Sequence, residues 1–478
     1  MLPIVGIPLA IERFCARFNS VFKRIEQREH FKSLVTGLVC SDNRTIAGIH
    51  QRLVFGPEYD SLHHFMSCSP WAVESLREQR LKFVKEQLAG NVGSSGGRRL
   101  LAAVHSGINP GRRRELPAEI VENKVPCVIA IDPTFVHHTG ENIHGAYWYW
   151  DYAKRSFVIA QRLVLSVVAT SEHLIPLGWK LYHRGFLEQQ KLYLEAMEPA
   201  PDAEESVWEE FNSLVEKYES NLKEHVTQPQ LAEQLVDECE SIGFQKDAYV
   251  CDAALVTKEL MDRIEGYGQA WVSRLAKSRL VQTADRGFET VMSFAKRLPA
   301  DAFKPVQVQT RHGEERTYWC FSKVVMVHNW KRLRVVISYD NKELDGEPIY
   351  LITNKKNWVQ PQKIVQLYMM RDPIEHLIKD GKQELGLEDC QQRTESGVQK
   401  HWELSFLAYT FLELGFEVPI LPGVPAVKLE TIGQKSRLME GAVLQGFVNL
   451  VTQWVLENRD TKELMQQLMI RRLNRLAT

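Results

Sequence analysis

Twice in this chain a short, unbroken apolar run stops on an aspartate. "VPCVIAID" ends at Asp132, and "AYVCD" ends at Asp252. Apolar, β-branched runs of this kind, with no helical spacing, read as strands buried on both faces. Between them lie "SFVIAQRLVLSVVAT" (156–170) and "LIPLGWKLYHR" (174–184), also strand-like, and then helical segments. After Asp252 come "KELMDRIEGYG" as a helix and "AWVSRLA" as a strand. Three consecutive strands, helices and further strands specify a mixed sheet with helices packed on it, an α/β fold of the α+β kind. An aspartate closing a buried strand is either a turn former or a carboxylate held on a rigid element. Each aspartate alone leaves both readings open.

On either side of this region the pattern is helical. Phe14, Phe18, Phe22 and Ile25 recur at helical spacing. "SDNRTIAGIHQRLV" (41–54) opens with capping residues and continues amphipathic, as one helix of a helix-turn-helix does. "SPW" (69–71) sets a cap and then Pro70 at a first helical position, opening a helix to about Ala89. A small helical DNA-binding domain and a plain helical bundle both fit. "GNVGSSGGRR" and "NPGRRRELP" then read as a hinge; no GxxxxGK[ST] occurs, so the glycines are not a phosphate loop.

Residues 303–353 alternate and are rich in Val, Trp and Tyr, with a turn at His312–Gly313. They read as a β-rich insertion that "EPIYLITN" (347–354) closes. "GVQKHWELSFLAYTFLELGF" (397–416) is apolar nearly all round and is expected to be a buried helix. The chain therefore divides into a helical region (1–90), a basic linker (91–125), a core whose first part is 126–302, the β-rich insertion (303–353), core helices (354–416) and a C-terminal helical region (417–478).

Composition excludes several classes. No run of eighteen apolar residues occurs in the 478, so no membrane span is expected. The opening "MLPIVGIPLA" lacks a basic leader and is broken by Pro3 and Pro8, a poor signal peptide. The eight cysteines are scattered with no CxxC pair, the pattern of reduced thiols in an intracellular protein. The net charge of −1 hides a split. Residues 201–240 carry twelve Asp/Glu and two Lys, so the remaining residues carry +9. Basic clusters such as Arg112–Arg114 and Lys331–Arg332–Arg334 are either solvated surface or the wall of a basic groove.

In "YMMRDPIEHLIKDGK" the residues Tyr368, Arg371, Glu375 and Lys382 stand three, four and seven positions apart. On an unbroken helix they would share one face. Pro373 interrupts it, because a helix interior does not tolerate proline. Asp372 is placed to cap a second helix beginning at Pro373, with Glu375 in its first turn and Tyr368 and Arg371 on a preceding segment. Two divalent cations about 4 Å apart can activate a water and stabilise a leaving oxygen in phosphodiester cleavage. Such ions want hard oxygen ligands, and two aspartates on adjacent strands plus a glutamate on a nearby helix supply them. Asp132, Asp252 and Glu375 have those contexts. The competing reading of Glu375 is a surface salt bridge with Arg371 and Lys382, worth little.

The Tyr368–Arg371–Glu375–Lys382 spacing resembles the Tyr–Arg–Glu–Lys signature of DDE transposases of the insertion-sequence-four type. "KQELGLEDCQ", "GVQKHWELSFLAY", "YLITN" and the β-rich insertion also look like this family, and "LHHFMSCSPW" looks like its insertion-sequence 701 group. The resemblance implies a ribonuclease-H-like catalytic core with the triad Asp132, Asp252 and Glu375, which would hold two Mg²⁺ ions, with Mn²⁺ as a substitute. It implies cleavage of double-stranded DNA at terminal inverted repeats, strand transfer into target DNA and a homodimer in the DNA complex. It further implies no membrane partner and a bacterial or archaeal cytoplasmic location at the nucleoid. Tyr368, Arg371 and Lys382 would touch DNA. An aromatic of the insertion, Trp319 or Trp330, with Trp358 a weaker candidate, would stack on a flipped base. Core packing is the alternative for each.

The sequence departs from the family at "RDPIE", where Pro373 enters, and in its near-neutral charge. "HHTGENIH" (137–144) offers three histidines to zinc or to a turn, and "YWYWDY" (147–152) offers rings to bases or to a neighbouring strand. A catalytically silent DNA-binding descendant and a structure-specific nuclease on the same core are the other functions considered.

Overall fold

The structure is a computed structural model that describes residues 3–105, 126–140, 142–151, 154–283, 287–311, 313–416, 429–457 and 459–476. The chain begins with helices α1 (Leu9–Ala16), α2 (Ile25–Cys40), α3 (Ile46–Arg52), α4 (Tyr59–Ser67) and α5 (Val73–His105). Strands β1 (Val128–His137), β2 (Tyr147–Asp151), β3 (Ser156–Ala169) and β4 (Leu174–Tyr182) follow. Then come α6 (Arg184–Met197), α7 (Glu205–Glu224), α8 (Gln228–Ile242), β5 (Ala248–Cys251), α9 (Lys258–Gly266), β6 (Trp271–Arg274), β7 (Leu280–Gln282), β8 (Glu289–Thr290) and α10 (Val291–Lys296). The β-rich stretch holds β9 (Lys304–Gln309), β10 (Glu315–Val327), β11 (Arg332–Tyr339) and β12 (Ile349–Thr353). Helices α11 (Pro361–Met369), α12 (Pro373–Glu384), α13 (Glu395–Thr410), α14 (Ile432–Leu456) and α15 (Thr461–Leu476) complete it. The expected mixed α/β class with helical flanks is what the chain adopts, and it suits a ribonuclease-H-like core.

The chain falls into two compact units. One holds residues Met1–Leu88, Phe135–Gln161 and Leu377–Thr478. Its core is aromatic: Phe14, Phe18, Phe22, Phe31, Phe65 and Trp71 interlock, with Phe14 and Phe18 centroids 5.2 Å apart and Phe65 stacked on Trp71 at 5.3 Å. The phenylalanine spacing suggested one helix, but α1 ends at Ala16 and α2 starts at Ile25, which is 70% exposed. The rings pack inward from two helices and the turn between them. Pro70 does not open a helix either. Trp71 Nε1 donates to Phe65 O at 3.0 Å, tying the segment to α4, and α5 begins only at Val73. Past Ala89, α5 continues to His105. Glycine disfavours a helix by about 1 kcal/mol each without forbidding it. The rest of the expected linker, 106–125, lies outside the described residues. Helix α13 is buried along nearly its whole length, as its apolar sequence implied.

The other unit, Ala89–Thr134 and Arg162–His376, is built on the sheet. The order is β3-β1-β5-β6-β12-β11-β10-β7-β8, with β4 on β3 and β9 on β10. Strands β1, β5 and β6 pair in parallel, and their apolar runs are buried throughout the ladder. The β-rich stretch is not a separate lobe. Its last strand, β12, pairs antiparallel with β6, Leu351 opposite Arg274, so it continues the same sheet. Helix α11 packs against β5, β6 and β9. That packing brings its C-terminal end to the carboxyl ends of the parallel strands.

Candidate active site

Asp132 is not the last residue of its strand; β1 runs on to His137. What ends at Asp132 is the ladder to β5, whose last partners are Ile131 and Cys251. Pro133 follows, and proline has no N–H to give a ladder. Asp252 stands at the matching point of β5. Its N–H donates to Ile131 O at 3.3 Å, and its side chain accepts from Ala254 N at 3.3 Å, capping a short 3-10 turn. Two adjacent parallel strands thus end their pairing on two carboxylates, side by side on rigid backbone.

The cation between them comes from a break in a helix. Helix α11 stops at Met369 and α12 starts at Pro373, as Pro373 implied, with Glu375 in the first turn. Arg371 lies in the break itself rather than on the preceding helix. Its Nη2 donates to Asp132 Oδ1 at 2.9 Å and Oδ2 at 3.1 Å, and to Asp252 Oδ1 at 3.2 Å. Asp132 is 8% exposed at its side chain, Arg371 13% and Asp252 27%. Burial raises the Asp132 carboxyl from 3.8 to about 6; Arg371 opposes the rise and Asp252 adds to it. Burial works against the charge on Arg371, but Asp132 and Asp252 more than offset it and hold its pKa above the usual guanidinium value.

Glu375 is exposed, and its charge reaches Asp132 only as the weakest named influence. Among the described residues no group of three His, Cys, Asp or Glu is placed to hold a metal ion. The structure therefore joins Asp132, Asp252 and Arg371 and leaves the glutamate outside that contact. Tyr368 is buried at the end of α11, and burial raises its phenol pKa.

Lys382 belongs to the aromatic unit, where its Nζ lies 3.3 Å from Glu388 Oε1. Glu388 also accepts from His137 N at 3.2 Å. Burial alone would raise its pKa, but Lys382 and His137 bring it below the usual value. His137 meets Asp151 at 3.3 Å through Nε2, and His138 meets Gln161 at 2.8 Å, so protein groups already occupy two of the three histidines of the zinc reading. Trp148 and Trp150 of the aromatic run stand exposed while Tyr149 is buried. Trp330 stacks flat on buried Trp271, centroids 5.7 Å apart and planes 4° off parallel. Trp319 is half-buried in β10 opposite Tyr339. Trp358 is half-buried under Lys363, whose Nζ is 4.6 Å from the ring centre.

Sequence reading missed one charged cluster. Glu403, on buried α13, accepts from Arg80 Nε at 2.7 Å and Arg77 Nε at 3.1 Å. The signal was a glutamate inside a helix apolar enough to be buried, where it stands beside Lys400 and His401; a buried carboxylate demands a cation.

The family described as "Transposase DDE domain" matches residues 208–411. That match takes in Asp252, Tyr368, Arg371, Glu375 and Lys382 and begins after Asp132. The chain is also similar to a protein described as "Probable transposase for insertion sequence element IS701" from Microchaete diplosiphon, 30% identical over 80 residues, 17% of this chain. The matched stretch spans about a fifth of that relative's length (21%). The likeness to DDE transposases read from the sequence is thus met from two directions.

Proposed function

We propose that this chain is a DDE transposase: an enzyme that cuts double-stranded DNA at the terminal inverted repeats of its element and joins the freed 3′ end to target DNA. The observation that carries the reading is the convergence of Asp132 and Asp252 on one cation delivered from the Tyr368–Arg371–Glu375–Lys382 segment. It ties Asp132, which lies outside the matched family segment, to the residues inside it.

The donor set suits Mg²⁺ or Mn²⁺. Carboxylate oxygens are hard ligands, and oxygens from both aspartates already share one nitrogen, so one cation can serve both. When bound, the ions would activate the attacking oxygen and stabilise the leaving one. Asp132 and Asp252 would hold them on rigid strand ends. Glu375 would complete the set from the first turn of α12, where it is free of the Asp132–Asp252 contact. Arg371, Lys382 and Tyr368 would position phosphates. The N-terminal helices (1–90) and the basic stretch (91–125) would grip end DNA, and the C-terminal helices (417–478) would pair two copies. We assign the protein to the cytoplasm, at the nucleoid; no described helix is long and apolar enough to cross a membrane.

The test is Mg²⁺-dependent cleavage of DNA carrying the element's ends, comparing wild type with Glu375→Gln. Wild type should cut, while the variant should bind the ends and not cut. A catalytically silent DNA-binding protein is the second reading, favoured by Glu375 standing outside the aspartate contact. It predicts binding by wild type with no cutting in Mg²⁺ or Mn²⁺.

A further inference from the structure

Arg371 holds its two aspartates in an unusual way. One terminal nitrogen makes all three hydrogen bonds, and the buried Nε makes none. An arginine built to lock a carboxylate commonly uses two nitrogens in a fork, which is the stronger and more directional arrangement. Here a single nitrogen sits where the oxygens of two carboxylates converge, as a point charge would.

A divalent cation needs those same oxygens, at about 2.1 Å for Mg²⁺. It cannot take them while the guanidinium nitrogen holds them, and two cations at that spacing repel. We propose that Arg371 is a stand-in cation: it neutralises Asp132 and Asp252 while no metal is bound and must swing to a DNA phosphate before metal loads. The proposal rests on the reading of Asp132 and Asp252 as metal-binding carboxylates. Arg371 is placed for such a swing. It lies between two helices, in the break at 370–372, rather than within either, and its side chain is partly exposed. The phosphate would exchange one anionic partner for another, so the arginine is never left uncompensated. By linkage, whatever draws Arg371 away tightens metal binding, and metal in turn tightens DNA binding by the same factor. An unoccupied site would then not load metal, and would not cut, until an end arrived.

The experiment is a Mn²⁺ titration of the full chain, read as loss of the free-ion paramagnetic resonance signal, with and without a duplex of the element's terminal repeat. Wild type should bind Mn²⁺ at least about tenfold more tightly with the duplex, the change expected from relieving one adjacent charge. Arg371→Gln should bind about tenfold more tightly than wild type without DNA and respond little to it. Arg371→Lys, which keeps the charge, should return toward wild type; a merely structural arginine would give no such ordering. Equal Mn²⁺ affinity in wild type and Arg371→Gln overturns the proposal, as does a wild-type affinity indifferent to the duplex, an arm that needs no substitution. Adding Asp132→Asn to Arg371→Gln separates the two levels. Loss of Mn²⁺ binding keeps the aspartates as ligands, so that a failure of the other arms counts against the swing of Arg371 alone. Retained binding sinks the ligand reading itself, and this proposal with it.

Discussion

Of the clusters that join arginine to carboxylate among the described residues, those at Glu403 and at Asp132 are built in opposite ways. At Glu403, two guanidiniums converge on one carboxylate, at 2.7 and 3.1 Å, with Glu403 and Arg80 wholly buried. At Asp132, one guanidinium nitrogen serves two carboxylates, and Asp252 is 27% exposed. The first is sealed, like a rivet. The second is open on one side and holds one cation against two anions. A sealed pair resists exchange because removing either member strands a buried charge. An open cluster with excess negative charge can exchange its cation for another. Function is therefore expected at the second and stability at the first.

The largest effect should come from the open cluster. Asp132→Asn or Asp252→Asn should lower end cleavage by about 10³-fold or more, roughly 4 kcal/mol of barrier. A gel assay under single-turnover conditions measures it, and normal cutting by either variant would dissolve the contrast. Next comes the rivet. Glu403→Ala should lower unfolding free energy by about 3–5 kcal/mol, read from guanidinium chloride midpoints. A loss under about 1 kcal/mol would place Glu403 with ordinary surface pairs.

The pH dependence sharpens the comparison at Asp132. Its folded pKa, about 6, lies above the ordinary 3.8. The folded chain therefore binds the proton more tightly than the unfolded one across that interval. The stability this group contributes is fully present below about pH 4 and is lost as pH rises through about 6. Relative to Asp132→Asn, wild type should lose ~3 kcal/mol of unfolding free energy between those limits. The reverse stability slope would mean that Arg371 outweighs burial.

The smallest contrast separates two tryptophans along the same sealed-versus-open line. Trp330→Ala, removing a half-buried ring stacked on Trp271, should cost about 1–3 kcal/mol of stability. Trp148→Ala, at a ring 48% exposed, should stay within about 0.5 kcal/mol. Thermal melts of both variants decide it.

Local chemistry made much of this legible. Apolar runs announced β1, β3, β4, β5 and β6, and Pro373 announced the start of α12, because a missing N–H and a fixed φ act on the residue that carries them. Long-range partners were not legible. Nothing near Arg371 says that its guanidinium reaches Asp132, 239 residues away. The full length of β1 was hidden because Asp132 and Pro133 interrupt an apolar pattern that the backbone ignores. Ile25 continued a helical spacing that the chain abandons between α1 and α2. Periodicity reports which faces are apolar; it does not report where the backbone turns.

The pairing of β12 with β6 bears on anyone who would trim this chain to a minimal nuclease. The stretch 303–353 could be taken for an add-on, to be excised and replaced with a short loop. Excision would strip β6 of its neighbour and turn an interior strand into a raw border, one strand away from Asp252. Unpaired strand borders recruit other chains. The truncated protein would clump before its chemistry could be assayed, and the failure would be misread as loss of a DNA contact.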